Sequence, residues 1–222
     1  MTKQLPALIF DLDGTLTDSK PGIIACLRKV LDAHNLSDQG PLERFVGPPV
    51  DTWVRELLPD GTQEMHTALI LEYRACYDRE GWNNNSVYAG VREMLARLHG
   101  EGFPLYVCTS KQEHFAVRIL DLFELSGFFA AIYGDKAEYD NHHKADLLAR
   151  LLRDCGVEAA TSWMIGDRSY DIEAARANGV GAIAAAWGYG SAEEWVQADA
   201  TAASPDEMRE LVLTGQPSIG KK

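Results

Sequence analysis

The sequence predicts an α/β protein: a parallel sheet core with helices on both faces, plus a small all-helical domain inserted after the first strand. Three observations predict it. From Val87 onward, short apolar runs alternate with amphipathic helical patterns, the signature of parallel strands joined by helical crossovers. Between Thr17 and Asn85 the pattern is helical throughout. A single apolar strand, residues 7–10, stands before that stretch, so the helices interrupt an alternation already begun. The expected division is a core of residues 1–16 and 87–222, with a helical domain of residues 17–86.

The first strand is short, wholly apolar and ended by turn residues, as a strand buried on both faces should be. Ser19 then stands where an N-cap is expected and Pro21 in the first helical turn, with Ile23, Ile24, Leu27, Val30 and Leu31 sharing one face. Asn35, Asp38, Gln39, Gly40 and Pro41 break that helix. A short helix is expected after Gly47-Pro48-Pro49 and a longer one over 62–80. The alternation that follows predicts a helix over 91–100, a strand over 104–108 and a helix over 112–120. A weak strand at 130–133, a helix at 144–155 and a strand at 162–165 come next. A helix at 171–178 is stopped by Asn178-Gly179, a strand covers 180–185, and a last helix covers 205–213. Residues 216–222 are expected to fray.

Bulk properties bound the function. A chain of 222 residues with 46% hydrophobic and 24% charged residues can bury a sizeable core. A net charge of -12 disfavours nucleic acid and anionic membranes as partners, because both require basic surface. The longest apolar tract, residues 180–187, is too short and too rich in glycine to span a bilayer. Cys26, Cys76, Cys108 and Cys155 lie far apart without a Cys-x-x-Cys pair, so free thiols are expected. The first strand begins so close to Met1 that no signal peptide is expected, and the expectation is a cytoplasmic protein.

The residues that carry chemistry collect at strand ends, where open parallel sheets bind ligands. The first strand runs into Asp11-Leu12-Asp13-Gly14-Thr15. Two carboxylates at i and i+2 repel, and they ask either for a cation or for a division of labour between nucleophile and acid. A strand ending in an Asp-Gly turn is the plainer alternative. The second strand ends in Thr109-Ser110-Lys111, where hydroxyls meet a helix start and suit a phosphate, or simply cap that helix. Asp167 and Asp171 bracket the entry to a later helix, either as N-terminal acids or as part of a cluster with Asp11 and Asp13. Four acids at one sheet edge suit Mg²⁺, which takes hard oxygen ligands. Lys144 opens a helix, an unfavourable place for a cation unless an anion lies nearby. His142 and His143 beside it have no companions at ligand spacing and read as loop histidines.

Taken in order, these motifs resemble those of the haloacid dehalogenase superfamily, closest to its phosphoglycolate phosphatase-like branch with a helical cap after the first strand. The resemblance covers nearly the whole chain. Asp11-Leu12-Asp13-Gly14-Thr15-Leu16-Thr17-Asp18-Ser19 is a near-complete first motif, Val107-Cys108-Thr109-Ser110-Lys111 the second, Lys144 the third, and Gly166-Asp167 through Asp171-Ile172 the fourth. It implies a Rossmann-like core, a Mg²⁺ cofactor and hydrolysis of a small phosphorylated metabolite through an aspartyl-phosphate. It further implies that Asp11 is the nucleophile and Asp13 the general acid and base. Thr109, Ser110, Lys144 and Gly14 would bind the phosphate. Asp11, Asp13 through its backbone carbonyl, Asp167 and Asp171 would serve the metal. Ala145 and Ala89 stand where relatives often carry proline.

A dehalogenase is disfavoured, since those relatives lack the second acid that Asp13 provides. A phosphonoacetaldehyde hydrolase is disfavoured too, because residues 17–85 hold only Lys20 and Lys29, both near the start of the cap. A phosphosugar mutase, a 5'-nucleotidase-type substrate and a non-catalytic binding module are the alternatives. Monomer and homodimer are equally open. Specificity is expected to reside in the cap, with Arg44, Phe45 and residues 47–49 either facing the site or forming a helix linker. Trp82-Asn83-Asn84-Asn85 reads as a return linker, and Gly188-Tyr189-Gly190 as a site rim or a plain turn.

Overall fold

The structure is a computed structural model, described here for residues 5–36, 41–48, 50–136 and 143–215. Asp38, Gln39, Gly40, Pro49, His142 and residues 216–222, on which some sequence expectations fall, lie outside the described residues. The chain forms two compact units, residues 1–17 with 87–222, and residues 18–86.

The larger unit is an α/β fold of the Rossmann type around a six-stranded parallel sheet. Its strands are β1 (Leu8–Phe10), β4 (Leu105–Gln112), β5 (Ala131–Asp135), β6 (Trp163–Gly166), β7 (Gly181–Ala185) and β8 (Ala200–Ala202). They lie in the order β5-β4-β1-β6-β7-β8. A separate pair, β2 (Thr17–Asp18) and β3 (Ser86–Val87), carries the chain out of this unit and back.

The strand β1 is central because every one of its side chains is apolar and fully buried. It pairs with β4 and β6 in parallel, Phe10 opposite Val107 and Ile165. Alternation along the strands sends Ile9, Tyr106, Cys108, Met164 and Ala182 to one face. There they pack on Leu148, Leu151 and Leu152 of α6 (Lys144–Cys155) and on Ile172 and Ala175 of α7 (Ser169–Ala177). Helices α4 (Val91–Gly100), α5 (Glu113–Leu122) and α8 (Pro205–Leu213) complete the unit; α5 packs on β4 and β5, and α8 on β7 and β8.

Three local expectations are corrected. First, β4 runs on through Gln112 and α5 starts at Glu113, so Thr109 and Ser110 lie in a strand and cap no helix. Second, α7 begins at Ser169, which places Asp171 in its first turn with Arg168 as the N-cap. Third, β8 is an additional strand. Its Ala-Thr-Ala sequence carries no apolar run, and its pairing is led in by Asp199, whose N–H donates to Ala182 O while its carboxylate accepts from Ala182 N, both at 2.9 Å.

In the smaller unit, α1 (Lys20–Ala33), α2 (Val50–Leu57) and α3 (Gln63–Cys76) follow the expected order. Thr62 caps α3 by accepting from Met65 N, and the last expected turn is a π-helical segment, Tyr77–Gly81. Ser19 occupies the N-cap position of α1, but its side chain makes no capping bond. Phe45 is buried against Trp53, with Arg44 over its ring at 4.1 Å and paired with Glu56 at 2.9 Å. Both residues are therefore engaged in this unit's own packing. All four cysteines are free, and Cys26, Cys76 and Cys108 are buried. Among the described residues no helix is long and apolar enough to cross a membrane.

Candidate active site

The carboxyl ends of β1, β4 and β6 and the start of α6 converge on one point of the larger unit. Asp11 is the first residue past β1, and its N–H continues the ladder by donating to Ile165 O at 2.9 Å. Asp167 follows β6 directly and is fully buried. Asp171, one turn into α7, accepts from Arg168 N at 3.0 Å. Carboxylate oxygens of Asp11, Asp167 and Asp171 lie within 4.8 Å of one another, all buried.

Lys144 answers this charge. It is 8% exposed, and its Nζ lies 2.8 Å from Asp11 Oδ1 and 2.5 Å from Asp171 Oδ1. Burial alone would lower its ammonium, but Asp11 and Asp171 outweigh burial and raise it well above the usual lysine range. Asp13 faces a different partner: Lys111 Nζ lies 2.7 Å from its Oδ2. Asp13 Oδ1 is buried without a hydrogen-bond partner among the described residues. Thr109 is buried, its hydroxyl accepting from Lys111 N at 3.2 Å, and Ser110 is half-buried next to it in β4.

Sequence reasoning assigns Lys111 no role. Its signal was a lysine two residues past Thr109 on a strand read as ending too early. Gly14 needs a correction. Its only donor is committed to Thr17 O at 2.8 Å, so it is not a free phosphate ligand. Its φ is +89°, and a Cβ there would collide with the Asp167 carboxylate. Its place is steric: it makes room for Asp167. Gly14→Ala is expected to destabilise by about 2–4 kcal/mol through backbone strain and overpacking. Urea unfolding checks this, and wild-type stability in that variant would remove the close approach. His143 is exposed at the N-cap position of α6 and, among the described residues, belongs to no group of ligating side chains.

The donor set suits a hard divalent cation. Four buried carboxylates face two ammonium groups, which leaves an excess of two negative charges. Protons relieve part of that excess in the metal-free protein. Burial first, then Asp171 and Asp11, push Asp167 up from 3.8 to about 8. Burial likewise pushes Asp11 to about 6, against the pull of Lys144. Both folded values exceed the unfolded one, so the stability gained by protonation is complete below about pH 4 and is lost as pH rises through about 6 and then about 8. A cation bound at the same oxygens displaces those protons. A divalent cation that binds there is therefore expected to raise the melting temperature more at about pH 8.5 than at about pH 5.5. Equal shifts in scanning fluorimetry at both values would place the ion elsewhere.

A model of the haloacid dehalogenase-like hydrolases matches residues 8–185. The chain belongs to that family. PtkA of Mycobacterium tuberculosis, described as a tyrosine-protein kinase, is 37% identical over 92% of this chain and 72% of its own length. A 5'-nucleotidase of Pseudomonas aeruginosa is 36% identical over 85% of this chain and 86% of its own. A phosphoglycolate phosphatase of Chromobacterium violaceum is 30% identical over 96% and 99%. Among solved structures, a predicted phosphatase from Clostridium acetobutylicum superposes with a TM-score of 0.88 at 33% identity, covering 96% of this chain and all (100%) of that one.

Proposed function

We propose that the protein is a Mg²⁺-dependent phosphatase that hydrolyses a small phosphomonoester, phosphoglycolate-like in size, through an aspartyl-phosphate on Asp11. The observation that carries this reading is the asymmetry of the Asp11–Asp13 pair. Two carboxylates two residues apart have unlike surroundings: Asp11 sits in the anion cluster against Lys144, while Asp13 is held by Lys111 through one oxygen. Environments that differ in this way separate a nucleophile from an acid.

In the first half-reaction a carboxylate oxygen of Asp11 attacks phosphorus. The bond from phosphorus to the ester oxygen breaks, its electron pair leaves with that oxygen, and Asp13 Oδ1 delivers the proton that makes the alcohol. In the second, Asp13 takes a proton from water as the water oxygen attacks phosphorus. The bond to Asp11 breaks, releasing phosphate and restoring both carboxyl groups. Lys144 orients Asp11 and neutralises charge on it, and the Thr109 hydroxyl, with Ser110 beside it, would bind the phosphoryl oxygens. Mg²⁺, held by Asp11, Asp167 and the Asp13 carbonyl with Asp171 in support, would supply charge neutralisation at the transferring phosphoryl group.

The test is phosphate release from a panel of phosphomonoesters with Mg²⁺, including phosphoglycolate, nucleoside 5'-monophosphates and sugar phosphates. Asp13→Asn is the diagnostic variant, expected to lower kcat by ~10²–10⁴ with a much smaller change in KM. An unchanged kcat would remove Asp13 from the acid–base role. The same panel separates the alternatives. An isomerised product that needs a bisphosphate would mean a mutase. The likeness to PtkA adds one arm, incubation with ATP and a tyrosine peptide, where phosphotyrosine without phosphate release would overturn the hydrolase reading.

A further inference from the structure

Asp167 differs from the other acids of the site. Asp11 and Asp171 share Lys144, and Asp13 has Lys111, whereas Asp167 makes no ion pair among the described residues. It is held entirely by neutral donors. The Thr15 hydroxyl donates to Oδ1 at 3.2 Å and Tyr189 N–H to Oδ2 at 2.9 Å. The Trp195 indole N–H donates to the Asp167 carbonyl at 2.7 Å.

Two of those donors come from one segment, residues 187–195, which follows β7. The same segment reaches two neighbouring loops. Trp187 Nε1 donates to Thr15 O at 2.9 Å, and Glu194 accepts from Arg168 Nε at 2.9 Å and from Ser169 N at 3.1 Å. The approach is closer than side chains allow. A Cβ on Gly188 would collide with Gly14 O and the Asp167 Cβ, and one on Gly190 with Asp167 O. The segment lies backbone-to-backbone on Asp167.

We propose that residues 187–195 form a strap that presses Asp167 into place beside Asp11 and Asp171, with Trp195 and Trp187 as positioning residues that set the affinity for the cation. The proposal rests on the reading of Asp11, Asp167 and Asp171 as metal ligands. Three buried carboxylates whose oxygens lie within 4.8 Å repel one another once ionised, as a bound cation requires, and Asp167 is the one that no lysine holds among the described residues. Neutral donors hold it with no ammonium competing for its oxygens, which leaves them open to a dication. A site populated in its binding geometry for only a fraction of the time binds more weakly by that fraction, and the strap keeps the fraction near one.

The experiment is calorimetric titration of Mg²⁺ into the metal-stripped protein, comparing wild type with Trp195→Phe, Trp187→Phe and Asp167→Asn. Each Trp→Phe change removes one indole N–H and keeps most of the ring. Trp195→Phe is expected to weaken Mg²⁺ by about tenfold or more, with little change in the melting temperature of the metal-free form. Hydrolysis of p-nitrophenyl phosphate lost at low Mg²⁺ should return at saturating Mg²⁺. A merely structural role would lower the melting temperature and leave the Kd of the folded protein unchanged. Wild-type Mg²⁺ affinity in both Trp variants overturns the strap. If Trp195→Phe does not fold, Trp187→Phe, acting through Thr15, decides alone. Should Asp167→Asn bind Mg²⁺ as wild type does, the metal assignment itself falls, and the strap's role with it.

Discussion

Asp11→Asn is expected to abolish phosphate release, with kcat lowered at least ~10⁴-fold, and at the same time to raise the melting temperature of the metal-free protein. Loss of turnover follows from loss of the nucleophile: an amide oxygen cannot form and release an acyl-phosphate at a useful rate. The gain in stability follows from the surroundings of Asp11. Burial, opposed by Lys144 and reinforced by Asp171 and Asp13, holds its carboxyl near 6 instead of 3.8. A folded value above the unfolded one means that the folded state disfavours the ionised form. The stability that protonation confers is complete below about pH 4 and is gone above about pH 6, so a neutral amide restores it at neutral pH. Opposite signs for activity and stability separate a functional acid from a structural one. Turnover within tenfold of wild type would exclude Asp11 as nucleophile, and a fall in metal-free melting temperature would mean that the Lys144 pair outweighs the desolvation of the charge.

Lys144→Met is expected to have the second large effect, with the opposite sign for stability. The ammonium bridges two buried carboxylates at 2.8 and 2.5 Å, and a thioether of similar length leaves both without a counter-charge. Breaking a buried ion pair from one side destabilises by about 3–5 kcal/mol. In a chain of this size that lowers the melting temperature by roughly 10 °C. Saturating Mg²⁺ should restore part of the stability, because the cation supplies charge to the same oxygens, but not the activity, because Asp11 loses the group that orients it. Scanning calorimetry with and without Mg²⁺, paired with kcat, reads both. A variant that melts with wild type and turns over within tenfold of it would return Lys144 to the class of ordinary lysines.

Much of the site was legible in the sequence because it lies at strand ends that local pattern can find. Asp11 and Asp13 follow a run of three buried apolar residues, and Asp167 follows another, so strand periodicity alone places all three at one sheet edge. Lys144 stood out because a cation at a helix start is unfavourable unless an anion faces it, and two do. Lys111 was illegible for a specific reason. The β4 pattern ends at Cys108 by hydrophobicity, yet hydrogen bonding carries the strand to Gln112 and brings Lys111 against Asp13, nearly a hundred residues earlier in the chain. The strand β8 was illegible because Ala-Thr-Ala has no strand signal of its own, and Asp199 leads it into register.

The sequence by itself determined the fold class, the order of the elements and which acids stand at strand ends, since these depend on spacing within a few residues. Only the tertiary structure decided how the four carboxylates divide among their partners: Lys144 for Asp11 and Asp171, Lys111 for Asp13, and neutral donors for Asp167. Pairing of that kind acts over a few ångströms between segments remote in the chain. It depends on β1 lying between β4 and β6, and on glycines at 14, 188 and 190 that let loops touch where any side chain would hold them apart.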